Sequence, residues 1–333
     1  MALKSVDHSI KYTYLIKASI ILLCESQDFN DMNKTLTPQF ERVNVEIVNT
    51  CNLKCSFCPT PERPQKAMTP QQFSRVASSL AGRTKEIVLH LLGEPLSHPD
   101  LEGVLGEAQK VGVPINIVTN GLLLVGAKLD VVLKPIVRQI SISLQSFADN
   151  FPDQNSDAYI RRIRLFCDQA LKERPDLYVN LRFWDLTLGA DDGTSSIQES
   201  VPSKRLRESL AEAFEFDWQS VRVDLRRKKN HRLRGRQYLH FDSRFTWPSL
   251  KGDVLQETGF CHALSGHVGV HSDGTVVPCC LDHNADIPLG NILEQPIDDI
   301  LSSNRAVKMK DGFRNRTLVE DLCRRCGFIN RFG

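Results

Sequence analysis

Three cysteines, Cys51, Cys55 and Cys58, fall within the short run VNTCNLKCSFCPT, directly after an alternating segment, Arg42–Val48, that reads as a strand. Three soft thiolates can hold an iron–sulfur cluster and leave its fourth position open. An open metal position is where a cluster does chemistry rather than only carrying electrons. A second group, Cys261, Cys279, Cys323 and Cys326, lies toward the carboxyl terminus. Ten cysteines in 333 residues, gathered mainly at two places, point to metal rather than a disulfide framework, and so to a reducing cytoplasm. Zinc is the competing ligand for closely spaced thiolates. The first set has no fourth ligand nearby, because His90, the closest histidine in sequence, belongs to a later strand.

The rest of the chain must position these thiols. Its net charge of +2 excludes a chain built as a whole to coat nucleic acid or an anionic membrane, and its length suits one large domain plus a small one. The one stretch resembling a targeting segment, Tyr12–Cys24, is too short to span a bilayer, contains Lys17 and lacks a small-residue cleavage site, so no membrane attachment is expected. Met32 opens MNKTLTPQFERVNVEI, which looks like a natural start, and residues 1–41 read as an N-terminal extension.

From Arg42 strand-like and helix-like segments alternate, which predicts about six βα units and a parallel sheet. The expected strands are Val43–Val48, Glu86–Leu91, Ile115–Val118, Gln139–Leu144, Tyr178–Phe183 and Ser220–Leu225. The expected helices are Pro70–Leu80, Pro99–Val111, Leu122–Leu133, Asp157–Lys172 and Ser203–Phe214, with Thr69 and Ser203 as caps. In such folds ligand-binding residues gather after the carboxyl ends of strands. Here the first cysteine set follows the first strand, Gly93-Glu94-Pro95 the second and Thr119-Asn120-Gly121 the third, while Ser143 and Gln145 close the fourth. The predicted organisation is a barrel core over 42–225, a basic connector over 226–254 and a small cysteine-rich domain over 255–333.

The spacing Cys51-x3-Cys55-x2-Cys58 resembles the radical S-adenosylmethionine (SAM) superfamily, and the later loops match it in order. The resemblance implies an α/β fold, a partial (β/α)6 TIM-like barrel, with a [4Fe–4S] cluster on Cys51, Cys55 and Cys58 and SAM at its open iron. It implies that Phe57 lies near the adenine and that Gly93, Glu94 and Pro95 contact the amino group of SAM. It places Asn120, Ser143 and Arg182 where the family binds ribose and methionine carboxylate; an arginine fork suits a carboxylate. The implied chemistry is reductive cleavage of SAM to a 5′-deoxyadenosyl radical that removes a substrate hydrogen, with electrons from a donor such as flavodoxin or ferredoxin.

The segment CHALSGHVGVHSDGTVVPC resembles the domain called SPASM, in its shortened twitch form. That resemblance implies one auxiliary [4Fe–4S] cluster on Cys261, Cys279, Cys323 and Cys326, closed by four thiolates and so suited to passing electrons. Asp273-Gly274 predicts a hairpin turn between His267–His271 and Thr275–Val277. A four-cysteine zinc ribbon remains open on spacing alone. Cys280 reads as an alternative ligand, a hydrogen donor or a packing residue; Cys167 and Cys24 read as packing cysteines. Trp184, Phe245 and Trp247 read as pocket lining or as packing.

The expected substrate is a peptide or protein side chain, oxidatively modified with the auxiliary cluster as electron acceptor. Alternatives are RNA held by the basic run Arg226–Arg236 and a small molecule such as a carbinol. A zinc-stabilised binding protein without turnover is the alternative of another class.

Overall fold

The computed structural model describes residues 38–184, 186–188, 195–197, 201–223 and 228–332. The expected extension up to residue 37, with Cys24 and Met32, lies outside them. Strands β1 (Arg42–Val45), β2 (Ile87–Leu89), β3 (Ile115–Thr119), β4 (Val137–Ser143) and β5 (Tyr178–Phe183) pair in parallel, each beside the next. Strands β6 (Leu186–Leu188) and β7 (Ser195–Ile197) form a separate antiparallel pair. After the hairpin of β8 (Asn230–Arg234) and β9 (Gln237–Phe241), β9 joins β5 as the sixth parallel strand. On the other edge β10 (His267–Val270) lies parallel to β1, followed antiparallel by β11 (Thr275–Val277) and β12 (Gly290–Asn291). The result is a partial (β/α)6 barrel whose first edge is extended by the carboxyl-terminal, cysteine-rich segment.

The crossovers follow from local sequence. Helix α1 (Pro70–Leu80) starts with proline at a position that needs no N–H donor and a reciprocal box: Gln72 N–H donates to Thr69 Oγ1 (3.2 Å) and Thr69 N–H to Gln72 Oε1 (2.9 Å). Its Phe73, Val76, Ala77 and Leu80 repeat at helical spacing and are buried against the sheet layer. Helix α2 (Leu101–Val111) is capped by Asp100 and ended by Gly112 in the left-handed conformation (φ 79°). Helices α3 (Ala127–Val132), α4 (Gln145–Asn150), α5 (Asp157–Glu173) and α6 (Val201–Phe214) complete the barrel. The short α7 (Ile297–Leu301), α8 (Asn304–Arg314) and α9 (Asp321–Arg324) follow the hairpin.

Alternation along the strands separates two environments. Val43, Val45, Ile87, Leu89, Ile117, Ile140, Ile142, Val179, Leu181 and Phe241 belong to the apolar core, whereas their neighbours Asn44, Asn116, Gln139, Ser141, Asn180, Arg182 and His240 line an internal cavity. Closed eight-stranded barrels fill the interior with branched apolar side chains. This incomplete one keeps a polar lumen.

The sixth strand corrects the expectation. Trp218–Ser220 is a 3-10 turn, residues 221–223 are irregular, and the end of the expected strand Ser220–Leu225 lies outside the described residues. The strand that pairs with β5 is Gln237–Phe241, inside the stretch read as a connector. Its partner β8 lies in the basic run, and Gly235 (φ 50°) turns the chain between them. Helix α3 is also shorter than expected, because the chain turns at Gly126 (φ 56°) before it starts.

One buried ion pair ties the barrel to the carboxyl-terminal segment. Glu46, one residue past β1, has a side chain with 0% exposure and receives Arg63 Nη2 at 2.7 and 2.9 Å. It also accepts from Ser272 Oγ (3.0 Å) at the hairpin turn, while Arg63 Nε donates to His283 O (2.9 Å). Burial pushes the Glu46 pKa up, but His271 and Arg63 together outweigh it and hold the carboxyl below its ordinary value. Its stabilising effect is therefore present above the ordinary glutamate range and is lost as pH falls through the lowered folded value. Arg63→Met leaves a buried carboxylate unpaired, and urea denaturation near neutral pH should show a loss of about 3–5 kcal/mol. A loss no larger than that of Lys85→Met, which removes an exposed pair with Glu41, would show that Arg63 is not needed.

Candidate functional site

The cysteine loop is pinched at its neck and gripped from the side. Asn49 closes the neck, its Nδ2 donating to Pro64 O and its Oδ1 accepting from Lys66 N–H, both at 2.8 Å. The grip comes from α4, which sequence reading missed. Asp149 accepts from Ser56 N–H (2.6 Å) and Ser56 Oγ (2.5 Å), and Asn150 Oδ1 from Lys54 N–H (2.9 Å). Asn150 Nδ2 donates to Cys55 Sγ at 3.1 Å, and Leu53 N–H to Cys51 Sγ at 3.4 Å. Cys51 and Cys58 are exposed and Cys55 is half-buried, so the three thiols open outward with donors behind two of them. That is a donor set and surrounding shell suited to a cluster, since N–H donors to sulfur tune cluster potentials.

The Gly93-Glu94-Pro95 loop packs directly on this one. Gly93 has φ 78°, and a Cβ there would meet Val48 O at 2.1 Å, so only glycine fits the crossing. Glu94 N–H donates to Thr50 O (3.0 Å). The Glu94 carboxylate faces inward. Oε1 accepts from Thr119 Oγ1 (2.7 Å) and Leu96 N–H (3.0 Å), and Oε2 from Asn120 N–H (2.7 Å). Glu94 thus locks the second and third loops together. Asn120 in turn reaches the cysteine loop, its Nδ2 donating to Asn52 Oδ1 (2.8 Å) and lying 3.9 Å from Cys51 Sγ. Ser143 ends β4 beside Arg182 in register. Phe57 packs on Trp184 with ring centroids 5.5 Å apart.

The second cysteine set also converges. Cys261, Cys279, Cys323 and Cys326 are half-buried, and all line one cavity of about 630 Å³ together with Cys280 and the barrel lumen. Burial raises each thiol, Cys261 and Cys280 to about 11, and their mutual repulsion adds to the rise at Cys261, Cys279 and Cys323. Thiols in this condition become thiolates when a metal supplies positive charge. Among the described residues no three His, Cys, Asp or Glu side chains are placed to share one metal ion. The expected hairpin is present, with Gly274 at φ 91°. Cys167 is fully buried on α5, a packing residue.

The arginines of the basic run that are described serve the fold. Arg232 donates to Gly235 O, Arg236 to Asp176 O, and Arg234 to Gln237 Oε1 and Asp168. This gives the RNA alternative no support. Among the described residues no helix is long and apolar enough to cross a membrane.

A partial barrel with three open thiols after its first strand and four more on its lumen defines an iron–sulfur enzyme. Residues 45–184 match the radical SAM superfamily and residues 261–327 the SPASM iron–sulfur cluster-binding domain. The chain is a radical SAM superfamily enzyme with a SPASM iron–sulfur domain, and the reading as a zinc scaffold falls. It is 29% identical over 105 residues to the PqqA peptide cyclase of Streptomyces rochei, covering 30% of this chain and 29% of that protein. The match therefore spans less than a third of that relative. The fold is shared with BtrN, solved in complex with AdoMet and 2-DOIA (TM-score 0.52, 18% identity, 86% of this chain and 93% of that one). It is also shared with Streptococcus suis SuiB bound to precursor peptide SuiA (TM-score 0.54, 15% identity, 99% and 78%).

The surroundings of the three first-set thiols favour ionisation of one over the other two. A hydrogen bond with Cys58 is the largest influence on Cys55 and, with others from Ser146 and Asn150, lowers it to about 7, whereas Cys58 is raised by the same pairing and Cys51 by burial. In metal-free protein at pH 7, iodoacetamide should label Cys55 first, as peptide mapping would show. Asn150→Ala removes a donor to the thiolate, raises that pKa and should slow labelling several-fold; an unchanged rate would remove Asn150 from the account.

Proposed function

We propose that Cys51, Cys55 and Cys58 hold a [4Fe–4S] cluster with SAM at its open iron, and that Cys261, Cys279, Cys323 and Cys326 hold one auxiliary [4Fe–4S] cluster. Bound together, these groups supply a 5′-deoxyadenosyl radical for removal of a substrate hydrogen atom, with the surplus electron leaving by the second site. The enzyme acts on a peptide or protein side chain, and a donor such as flavodoxin or ferredoxin provides the reducing electron. The cysteine chemistry fits a cytoplasmic setting.

The observation that carries this reading is the shared cavity. The second cysteine set forms one wall of the lumen, and Trp184, on the same lumen, packs on Phe57 beside Cys58. A substrate in that space lies between the two sets. The chain's own residues do the positioning. Glu94 fixes the second loop against the third, where Gly93, Glu94 and Pro95 would hold the amino group of SAM, Phe57 would lie near the adenine, and Asn120 and Ser143 would serve its ribose and methionine ends. Asn150 holds Cys55 by a hydrogen bond to its Sγ. Peptide modification is supported by the names of relatives: a PqqA peptide cyclase is similar in sequence, and SuiB, which shares the fold, was solved with a precursor peptide.

After anaerobic reconstitution the protein should contain about eight irons and eight sulfides per chain; about four would remove the auxiliary cluster. Cys55→Ala should abolish 5′-deoxyadenosine formation on reduction with SAM. Cys323→Ala should lose about half the iron yet still form deoxyadenosine, and full iron retention in that variant would exclude Cys323 as a ligand.

A further inference from the structure

Every acidic side chain on the cavity wall is already engaged. Asp242 receives Arg331 (3.1 Å) and Lys229 (3.3 Å), Glu41 receives Lys85 (2.7 Å), and Asp282 accepts from Asp286 N–H (2.8 Å) and Ile287 N–H (2.9 Å). Two arginines on the same wall are not. Among the described residues neither Arg42 nor Arg182 has a hydrogen bond or ion pair from its side chain; Arg182 only lies over Trp184 at 5.2 Å. Burial lowers the Arg182 pKa to about 10, with Arg42 adding to the fall and Asp242 opposing it. Two other wall groups are unpaired: Asn116, 5% exposed, has a free Oδ1 and Trp247 a free indole N–H. Arg182 is half-buried and Arg42 exposed, and a half-buried guanidinium with no hydrogen-bonded anion gains from a ligand that brings one.

We propose that Arg182, assisted by Arg42, binds a carboxylate of the substrate rather than that of SAM, so the enzyme selects peptides that present an acidic side chain or a free carboxyl end to the lumen. The Asn116 oxygen and the Trp247 N–H offer one acceptor and one donor for the adjoining peptide group. This rests on the peptide reading proposed above. An arginine fork matches a carboxylate at two oxygens, which a lysine cannot do.

The test uses full-length, cluster-loaded protein with SAM bound, and two random heptapeptide pools, one containing Asp and Glu and the other Asn and Gln in their places. Wild-type protein should retain the acidic pool about tenfold over the neutral one, the size expected for a charge-assisted pair. Arg182→Met should erase that preference and Arg182→Lys keep part of it, with SAM affinity in equilibrium dialysis unchanged within about twofold. Because Arg182 makes no side-chain hydrogen bond or ion pair and touches the cysteine loop only through Trp184, iron content should match wild type in both variants. Equal retention of both pools by wild type would overturn the anion site and leave the peptide reading standing. Retention of neither pool would overturn the peptide reading and the proposal with it. Loss of SAM binding in Arg182→Met would return Arg182 to the methionine carboxylate.

Discussion

The arrangement depends on a carboxylate buried where a charge is expensive. Glu46 stands between the end of β1 and the cysteine loop, fully enclosed, and only hydrogen-bonded partners make an ionised side chain tolerable there. Those partners come from two distant places: Arg63, beyond the cysteines, and Ser272, at the turn of the carboxyl-terminal hairpin. Arg63 also holds the backbone at His283, a few residues after Cys279 and Cys280. The same carboxylate therefore sets the position of the loop bearing the first thiols and of the hairpin leading to the second.

That fixed spacing gives the incomplete barrel its use. Six parallel strands leave an open edge and a lumen that apolar side chains do not fill, and an edge must be covered. β10 covers it by continuing the sheet beside β1, and the register Arg42 to His267 through Val45 to Val270 carries the chain directly to the hairpin. Closing the edge and bringing cysteines to the lumen are thus one structural event. The polar wall of Asn44, Asn116, Gln139, Ser141 and Asn180 can stay polar because what it faces is a ligand space.

The barrel was legible in the sequence because each core strand alternates, and the loop motifs were legible because glycine and cysteine are constrained at their positions. Alternation alone misplaced the sixth strand: Ser220–Leu225 has the pattern, but Gln237–Phe241 also has it and is joined by a tight hairpin to β8, which decides the pairing. The basic residues before it masked that hairpin. Glu94 was legible as part of a motif, yet its carboxylate points to Thr119 and Asn120, which only the meeting of two loops reveals. Helix α4 was not legible at all. Six residues are too few to show a 3.6-residue period, and the partners of Asp149 and Asn150 lie more than ninety positions away.

The second cysteine set carries structure as well as chemistry. Its members come from three separate segments, and of the last two Cys323 lies within the four-residue α9 and Cys326 just beyond it, a helix with no side-chain cap. So short a helix cannot hold itself in water. Burial keeps these thiols protonated without metal, so the group that binds them both ionises them and staples the three segments. The wall they form belongs to the lumen where Arg182 waits for an anion. On the proposed reading, loading the second site and shaping the substrate space are coupled, because the cysteines that would hold the group are themselves wall residues of the pocket it would serve.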